Sequence, residues 1–459
     1  MADLATNDAI FSAYRMTVEP SPIGLALRFS TTICHKQLLK EYTPRTICPP
    51  TKIRSSDLLT RAVANVIPRK LAEEKLHSGK RLRIYWGIDP TGSKLHLGHT
   101  VPLRKLQAFA DAGHEVIIVI GSFTAMIGDP SGHDELRQPL TREHVEKNFQ
   151  TYKRQTANVL DFSKVSVRFN HEWLSKLTPE LMVQLASHFT KQQMEQREMF
   201  ARREKEGKPI NLSEFIYPLL VGYDSVVLDV DCELGGTDQE FNMLCGRTLQ
   251  KVFGKREKFV LTTKLLEGTD GRKMSKTYEN CIYLEDSPRE MFGKIMSIKD
   301  DLMGTYFECC TSIPMDEVPV ILSSPARPSR SDGSKDGTGP RNAKARLARE
   351  IVTLYHGAKA ADIAEKEFTS VFREGHLPKD IPEIRVKKGT ILIDALVESG
   401  LVSSKSDARR LIEQKGIKMN NKVIQKVDAK VEEGLTPEAL AQGVVVQIGK
   451  RRFVRLTVN

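Results

Sequence analysis

Two histidines three residues apart (His96 and His99 in HLGH) and two lysines three apart (Lys273 and Lys276 in GRKMSK) are side chains that can act on phosphate. Imidazole and ammonium groups stabilise the charge that builds on a phosphoryl group as a diphosphate departs, with no covalent step. HLGH follows a strand pattern and opens a helical one, where free backbone N–H groups and the helix dipole favour an anion. Gly98 inside it removes a side chain and lets a flat base approach the backbone. The lysine loop contains Gly271 and follows a second strand pattern, so it can close over a triphosphate. Each pair also has an ordinary reading: a chance spacing or a metal pair for H-x-x-H, and a solvated basic turn for GRKMSK.

Further polar signatures share a fixed order with these. YWGIDPTGSKLHLGH (85–99), GDPSG (128–132), YPLLVGYD (217–224), GGTDQ (235–239) and GRKMSK (271–276) run along one stretch of chain. An aspartate such as Asp224, beside the hydroxyl of Tyr85 or Tyr217 at a strand end, can bind a phenol. A site built that way rejects a ligand without the hydroxyl, because its buried polar groups are left unpaired. Asp129 and Tyr217 can hold an ammonium group. Asp238, after two glycines, can hold ribose hydroxyls or cap a helix. Together the five segments suggest one α/β domain that takes a nucleotide, a small amino acid and a mobile basic loop.

Those residues need a frame. DLLTRAVANVIPRKLAEEKL (57–76) reads as helix, with Asp57 as N-cap and Pro68 as a kink or break. RLRIYWGID reads as strand, VPLRKLQAFADAG as helix and EVIIVIGSFT as a buried strand, which makes a right-handed crossover in a parallel sheet. A mostly helical stretch over about 141–220 intervenes. SVVLDV as strand, a helix from near Asp238 and KFVLTTKLL as strand then resume the alternation. Ligands of such a sheet gather at the carboxyl ends of its strands. Residues 323–342 lack apolar periodicity and read as a loop, and a helix follows. Beyond Pro378 and Pro382 come two short helices and a hairpin turning at Asn420 and Asn421.

At 459 residues the chain exceeds a single core and suggests about three domains. No apolar run approaches the roughly 18 residues that span a bilayer. Net charge is +11, and residues 387–459 hold 14 Lys or Arg against 8 Asp or Glu. That basic excess suits a polyanion such as RNA, and equally an ordinary soluble surface. Seven cysteines without C-x-x-C spacing argue against a disulfide framework or a zinc site and suit a reducing compartment such as the cytoplasm. Residues 1–56 begin acidic and turn basic and hydroxyl-rich. They fit a disordered extension or a misassigned start, and also a transit segment to an organelle matrix, against which the acidic beginning argues.

HLGH, GDPSG, YPLLVGYD, GGTDQ and KMSK in this order resemble the motifs of bacterial-type tyrosyl-tRNA synthetases of class I, over about residues 57–459. Residues 385–459 are similar to the S-four-type RNA-binding domain that ends many of them. Tryptophanyl synthetases share the first and last motifs, but neither this tail nor the pairing of Tyr85 with Asp224. The resemblance implies an extension over 1–56, a Rossmann-like catalytic domain with a helical insertion over 57–300, a helical anticodon-side domain over 301–384 and a small α+β RNA-binding domain over 385–459. It implies L-tyrosine, ATP with magnesium and tRNA(Tyr) as partners, a tyrosyl-adenylate intermediate, and a homodimer.

The resemblance also assigns roles. Tyr85 and Asp224 would meet the phenol, and Thr124, Asp129 and Tyr217 would surround the amino end, with Val221 beside them. Gly87, Asp89, Gly98, Gly236, Asp238, Gln239 and Lys276 would hold ATP or the adenylate. Thr91, His96, His99, Arg137, Lys273 and Lys276 would stabilise the transition state. Two departures stand out: Val221 replaces a glutamine that touches the tyrosine, and His133 replaces a lysine after GDPSG. Thr277 in place of the motif's last serine is a mild change. The departures leave open a catalytically weakened RNA-binding relative, or a class I enzyme for another amino acid.

Overall fold

The structure, a computed structural model, describes residues 57–458 apart from 131–139, 196, 276–277, 324–338, 374–380, 434, 442 and 450–451. The extension 1–56, most of the expected loop 323–342, and the singled-out residues His133, Arg137, Lys276 and Thr277 lie outside the described residues.

The first half of the frame runs β1 (Val63–Ile67), α1 (Arg69–His77), β2 (Arg83–Ile88), α2 (Leu97–Asp111), β3 (Glu115–Ile120), α3 (Arg142–Thr156) and β4 (Val165–Phe169). Short helices lead on to α4 (Leu212–Leu228), β5 (Cys232–Gly236), α5 (Glu240–Val252) and β6 (Phe259–Thr263). The sheet order is β1-β6-β5-β2-β3-β4, all neighbours parallel except β1 with β6. β3 and β6 are buried along nearly their whole length, which is why VIIVI reads as an unbroken apolar run and FVLTT carries no charge.

Three expected elements differ. The helix over 57–76 is instead β1 and the shorter α1, parted at Pro68. VANVI pairs antiparallel along the edge of β6, with Ile67 opposite Val260, and this pairing outweighs the local helical spacing. Pro68, not Asp57, precedes the helix. β4 was hidden in the stretch read as helical; of VSVRF only Val165 is buried, as suits an edge strand.

SVVLDV is not a strand, because its first four residues close α4. Asn211 and Glu214 form a capping box at the start of that helix, and Asp229 ends it at φ 48°. Buried Tyr217, Leu220, Asp224 and Leu228 then recur at helical spacing, so periodicity over the whole helix overrides the β-branched pair at its end.

Helices α6 (Pro288–Met296), α7 (Met303–Cys310), α8 (Gly339–His356) and α9 (Ala358–Arg373) follow. Phe292, Tyr306, Phe307, Leu347 and Ile351 share one apolar cluster with Ile84, Leu106 and Ile118 of the sheet layers. α8 begins at Gly339, inside the segment read as loop.

A separate apolar cluster unites β7 (Glu383–Val386), α10 (Leu392–Glu398), α11 (Lys405–Glu413), β8 (Ile417–Met419), β10 (Val444–Ile448) and β11 (Arg452–Val458), and the exposed β9 (Lys422–Val423) pairs with β8. Its sheet runs β7-β11-β10-β8-β9. The expected hairpin is present, with Asn420 and Asn421 at φ 44° and 66°, the left-handed pair that a tight hairpin turn requires. Among the described residues, no helix is long and apolar enough to cross a membrane.

Candidate active site

β2 is flanked by β3 on one side and β5 on the other, so the sheet's order reverses there and a crevice opens at the carboxyl ends. A cavity of about 870 Å³ occupies it. Its wall holds every candidate residue within the described chain: Tyr85, Gly87, Asp89, Thr91, His96, Gly98, His99, Thr124, Asp129, Tyr217, Val221, Asp224, Gly236, Asp238, Gln239 and Lys273. The candidates come from β2, the start of α2, the turn after β3, α4, the end of β5 and the loop beyond β6.

One end of the cavity suits a phenol. Asp224, on α4, is 3 % exposed. Trp173 Nε1 donates to its Oδ1 at 2.7 Å and Asn170 Nδ2 to its Oδ2 at 3.3 Å. Burial pushes the Asp224 carboxyl well above the ordinary range, the Trp173 and Asn170 donors oppose this, and the Glu233 and Asp89 charges reinforce it. Tyr85 is 1 % exposed. Burial, then the Glu233 and Asp224 charges, hold its hydroxyl far above its ordinary pKa. Contrary to the expectation of an aspartate at a strand end, Asp224 lies within a helix, and the Tyr85 hydroxyl donates to Glu233.

The middle of the cavity is a carboxylate cradle. Thr124 Oγ1 donates to Asp89 Oδ1 at 2.7 Å and Tyr217 Oη donates to Asp89 Oδ2 at 2.9 Å. Gly121 makes this approach possible, since a Cβ there would lie 1.7 Å from Asp89 Oδ1. Asp129 Oδ2 accepts from Gln239 Nε2 at 2.6 Å, so Gln239 faces the carboxylate expected at the amino end as well as the nucleotide side. Val221 lines this region and brings no side-chain hydrogen-bonding group.

The far end suits phosphate. His96 stands at the N-cap of α2, and its ring centroid is 3.9 Å from that of His99. His99 Nδ1 accepts from the His96 N–H at 3.2 Å, which places the proton of the neutral ring on Nε2. Burial pushes His96 down to about 2, with His99 and Lys273 adding to the shift. Burial also lowers His99 to about 4, against the His96 backbone and Asp238. At neutral pH both are therefore uncharged hydrogen-bonding groups. Lys273 Nζ lies 3.0 Å from Asp238 Oδ2 across the cavity mouth. Asp238 sits in a 3₁₀ turn (Thr237–Gln239) ahead of α5, whose N-cap is Gln239, so Asp238 is not that helix's cap.

Sequence comparison identifies the family. The family model of the tRNA synthetases class I (W and Y) matches residues 77–373, and that of the tyrosine–tRNA ligase SYY-like C-terminal domain matches residues 373–456. The chain belongs to the class I tRNA synthetases of the W and Y type. It is 45 % identical over 402 residues to the tyrosine–tRNA ligase 2 of Vibrio cholerae, covering 87 % of this chain and 98 % of that one. It is 44 % identical over 414 residues to the tyrosine–tRNA ligase of Carboxydothermus hydrogenoformans, covering 88 % and 97 %. A C-terminally truncated mitochondrial tyrosyl-tRNA synthetase from Coccidioides posadasii shares the fold, with TM-score 0.54 and 24 % identity over 68 % of this chain and 90 % of that one.

Several groups that shape the site of this synthetase were not among the sequence candidates. Asn170 and Trp173 orient Asp224, and Asn170 Nδ2 also reaches Thr124 Oγ1 at 3.1 Å. Asn280 holds the lysine loop: its Nδ2 reaches Asp270 Oδ1 at 2.7 Å and the Lys273 carbonyl at 3.1 Å, and its Oδ1 accepts from the Ser275 N–H at 2.9 Å. Glu233 lines the cavity beside Tyr85, and Lys258 is buried against Glu233. No motif carries these five residues. For four of them the sequence signal is a charge or amide set within an otherwise apolar or turn segment, and Trp173 looks like an ordinary core aromatic.

Proposed function

We infer that the chain is a tyrosine–tRNA ligase. A tyrosine carboxylate oxygen attacks the α-phosphorus of ATP in line, pyrophosphate leaves, and a terminal hydroxyl of tRNA(Tyr) then attacks the adenylate carbonyl to release AMP. The observation that carries this reading is the layout of one cavity, with a buried Tyr85–Asp224 end opposite an end lined by His96, His99 and Lys273. In this reading Tyr85 and Asp224 take the phenol, and Thr124, Asp129 and Tyr217 take the amino end. Gly87, Asp89, Gly98, Gly236, Asp238 and Gln239 hold the nucleotide. Thr91, His96, His99 and Lys273, with Arg137 and Lys276, stabilise the departing pyrophosphate, each well-placed donor contributing about 3 kcal/mol at the transition state. Magnesium arrives as part of the substrate, bound to the triphosphate.

The same reading divides the chain into catalytic (57–300), helical (301–384) and RNA-binding (385–459) domains, the last supported by its own apolar cluster and by its match to the SYY-like domain. It gives the enzyme a partner copy. The exposed Val183, Leu212, Ile216 and Val227, on the helix Pro179–Ser187 and on α4, offer an apolar surface for it. The cysteine pattern supports a cytoplasmic location. Pyrophosphate exchange by the purified chain, run with each amino acid in turn, tests the assignment. Exchange that depends on tyrosine alone is expected; exchange driven by another amino acid, or by none, sinks it.

A further inference from the structure

Around Tyr85 lies a polar layer to which the reaction assigns no part, and its Glu233 also lines the cavity. Lys258 and Ser225 are each 0 % exposed, and Glu233 is 3 % exposed. Glu233 receives the Tyr85 hydroxyl on Oε1 and the Lys258 ammonium on Oε2, and the single Ser225 hydroxyl hydrogen is shared between Glu233 Oε2 at 3.0 Å and Tyr85 Oη at 3.2 Å, where Tyr85 accepts. Lys258 Nζ also donates to Ser225 Oγ at 2.6 Å. α5 leaves room for this cluster at Gly246, where a Cβ would stand 2.5 Å from Lys258 Nζ and 2.6 Å from Ser225 Oγ. A buried ion pair contributes little net stability, because desolvation offsets its attraction. What this one does is fix the direction of a hydroxyl.

We propose that Glu233, anchored by Lys258 and Ser225, is a specificity-determining positioning residue: it takes the single proton of the Tyr85 hydroxyl and so presents Tyr85 to the ligand as an acceptor only. Asp224 already receives Trp173 and Asn170 and likewise faces the cavity as an acceptor. A ligand must then bring a donor to this end. A phenol does, whereas the bare ring of phenylalanine leaves two buried acceptors unmet. Burial, together with the neighbouring carboxylates, keeps the proton on Tyr85, so the orientation persists across the working pH range. Substituting Glu233→Gln turns the arrangement round. The amide oxygen stays toward the ammonium, the NH₂ faces Tyr85, and the Tyr85 proton is released toward the ligand.

The inference rests on tyrosine activation by this cavity. It is tested on the full chain by pyrophosphate exchange with tyrosine and with phenylalanine. Wild type is compared with Glu233→Gln, Tyr85→Phe, the double variant of these two, and Glu233→Met/Lys258→Met, which removes both buried charges where Glu233→Gln alone does not fold. Expected for Glu233→Gln and for the Met pair is a drop of about tenfold or more in the tyrosine-to-phenylalanine ratio of kcat/KM, mainly through the KM for tyrosine, with the KM for ATP within about twofold. In the Tyr85→Phe background the Glu233 change should leave the ratio where it is, because its effect passes through the missing hydroxyl. An unchanged ratio in the Met pair, or a Glu233 effect that adds in full to that of Tyr85→Phe, overturns the proposal. Absence of tyrosine-dependent exchange in the wild type overturns the functional assignment instead.

Discussion

Asn280 touches none of the groups expected to meet substrate through its side chain except by way of the backbone, yet its removal should slow the enzyme. The residue is 2 % exposed. Its amide closes the loop from Asp270 to Ser275 on itself, with two Nδ2 hydrogens and one Oδ1 acceptor engaged. At about 1 kcal/mol net for each bond, Asn280→Ala shifts the equilibrium between ordered and open loop by about 3 kcal/mol, or about 150-fold. Part of that is absorbed by the surplus order of the loop, which Met274 also anchors in the core. The expected result is a fall of about 10- to 100-fold in kcat/KM for ATP, with the KM for tyrosine nearly unchanged because the phenol end lies on other elements. Asn280→Asp keeps the acceptor for Ser275 but loses the donors and sets a carboxylate against Asp270, so it should do no better than alanine. Pyrophosphate exchange with ATP titrated at saturating tyrosine reads both constants. A kcat/KM for ATP within about twofold of wild type, or an equal loss on the tyrosine side, would refute the idea that this amide orders the lysine loop.

Gly121→Ala should displace the Asp89 carboxylate, since the new methyl would stand 1.7 Å from Oδ1. A lower Tm and a KM for tyrosine or ATP raised at least about tenfold are expected, and a variant with wild-type constants would remove Asp89 from the site. His96 and His99 stay neutral in the native protein to about pH 2 and 4, but protonate near 6.5 when unfolded. Stability is therefore full above pH 6.5 and falls as the pH drops toward 4, by about 2 kcal/mol between pH 6.5 and 5.5 for the pair. Urea unfolding followed through Trp86 and Trp173, the chain's two tryptophans, reads this; a His96→Gln/His99→Gln variant with the same acid loss would contradict it. Deleting residues 387–459 should weaken tRNA binding and flatten its dependence on salt, because that segment carries 14 basic against 8 acidic residues. An affinity and slope that survive the deletion would place the electrostatic contact elsewhere.

Much of the frame and most of the site could be read from local pattern. A strand such as EVIIVI announces itself by an unbroken β-branched run, and the Asn420–Asn421 turn by residues that tolerate left-handed backbone. The groups proposed to handle phosphate and phenol lie in short segments whose glycines, imidazoles and lysines are neighbours in sequence. Helix α4 and strand β1 were misread where local propensity and long-range pairing disagree: Val226 and Val227 favour a strand alone but end a capped helix, and VANVI tolerates a helix alone but meets β6.

Residue order alone thus settled which chemical groups the chain carries and which short segments bring them, because those follow from spacing within a few residues. Only the tertiary structure decided how the groups are held. Tyr85 and Glu233 are 148 positions apart, and Trp173 and Asp224 are 51 apart. The glutamate in CELGG and the lysine that ends the charged run KREK before FVLTT look like solvent charges until the crossing of α5 over the sheet buries both. In water such charges would be hydrated independently; inside the fold, with no water to satisfy them, they must satisfy one another, and that requirement sets the orientation of Tyr85.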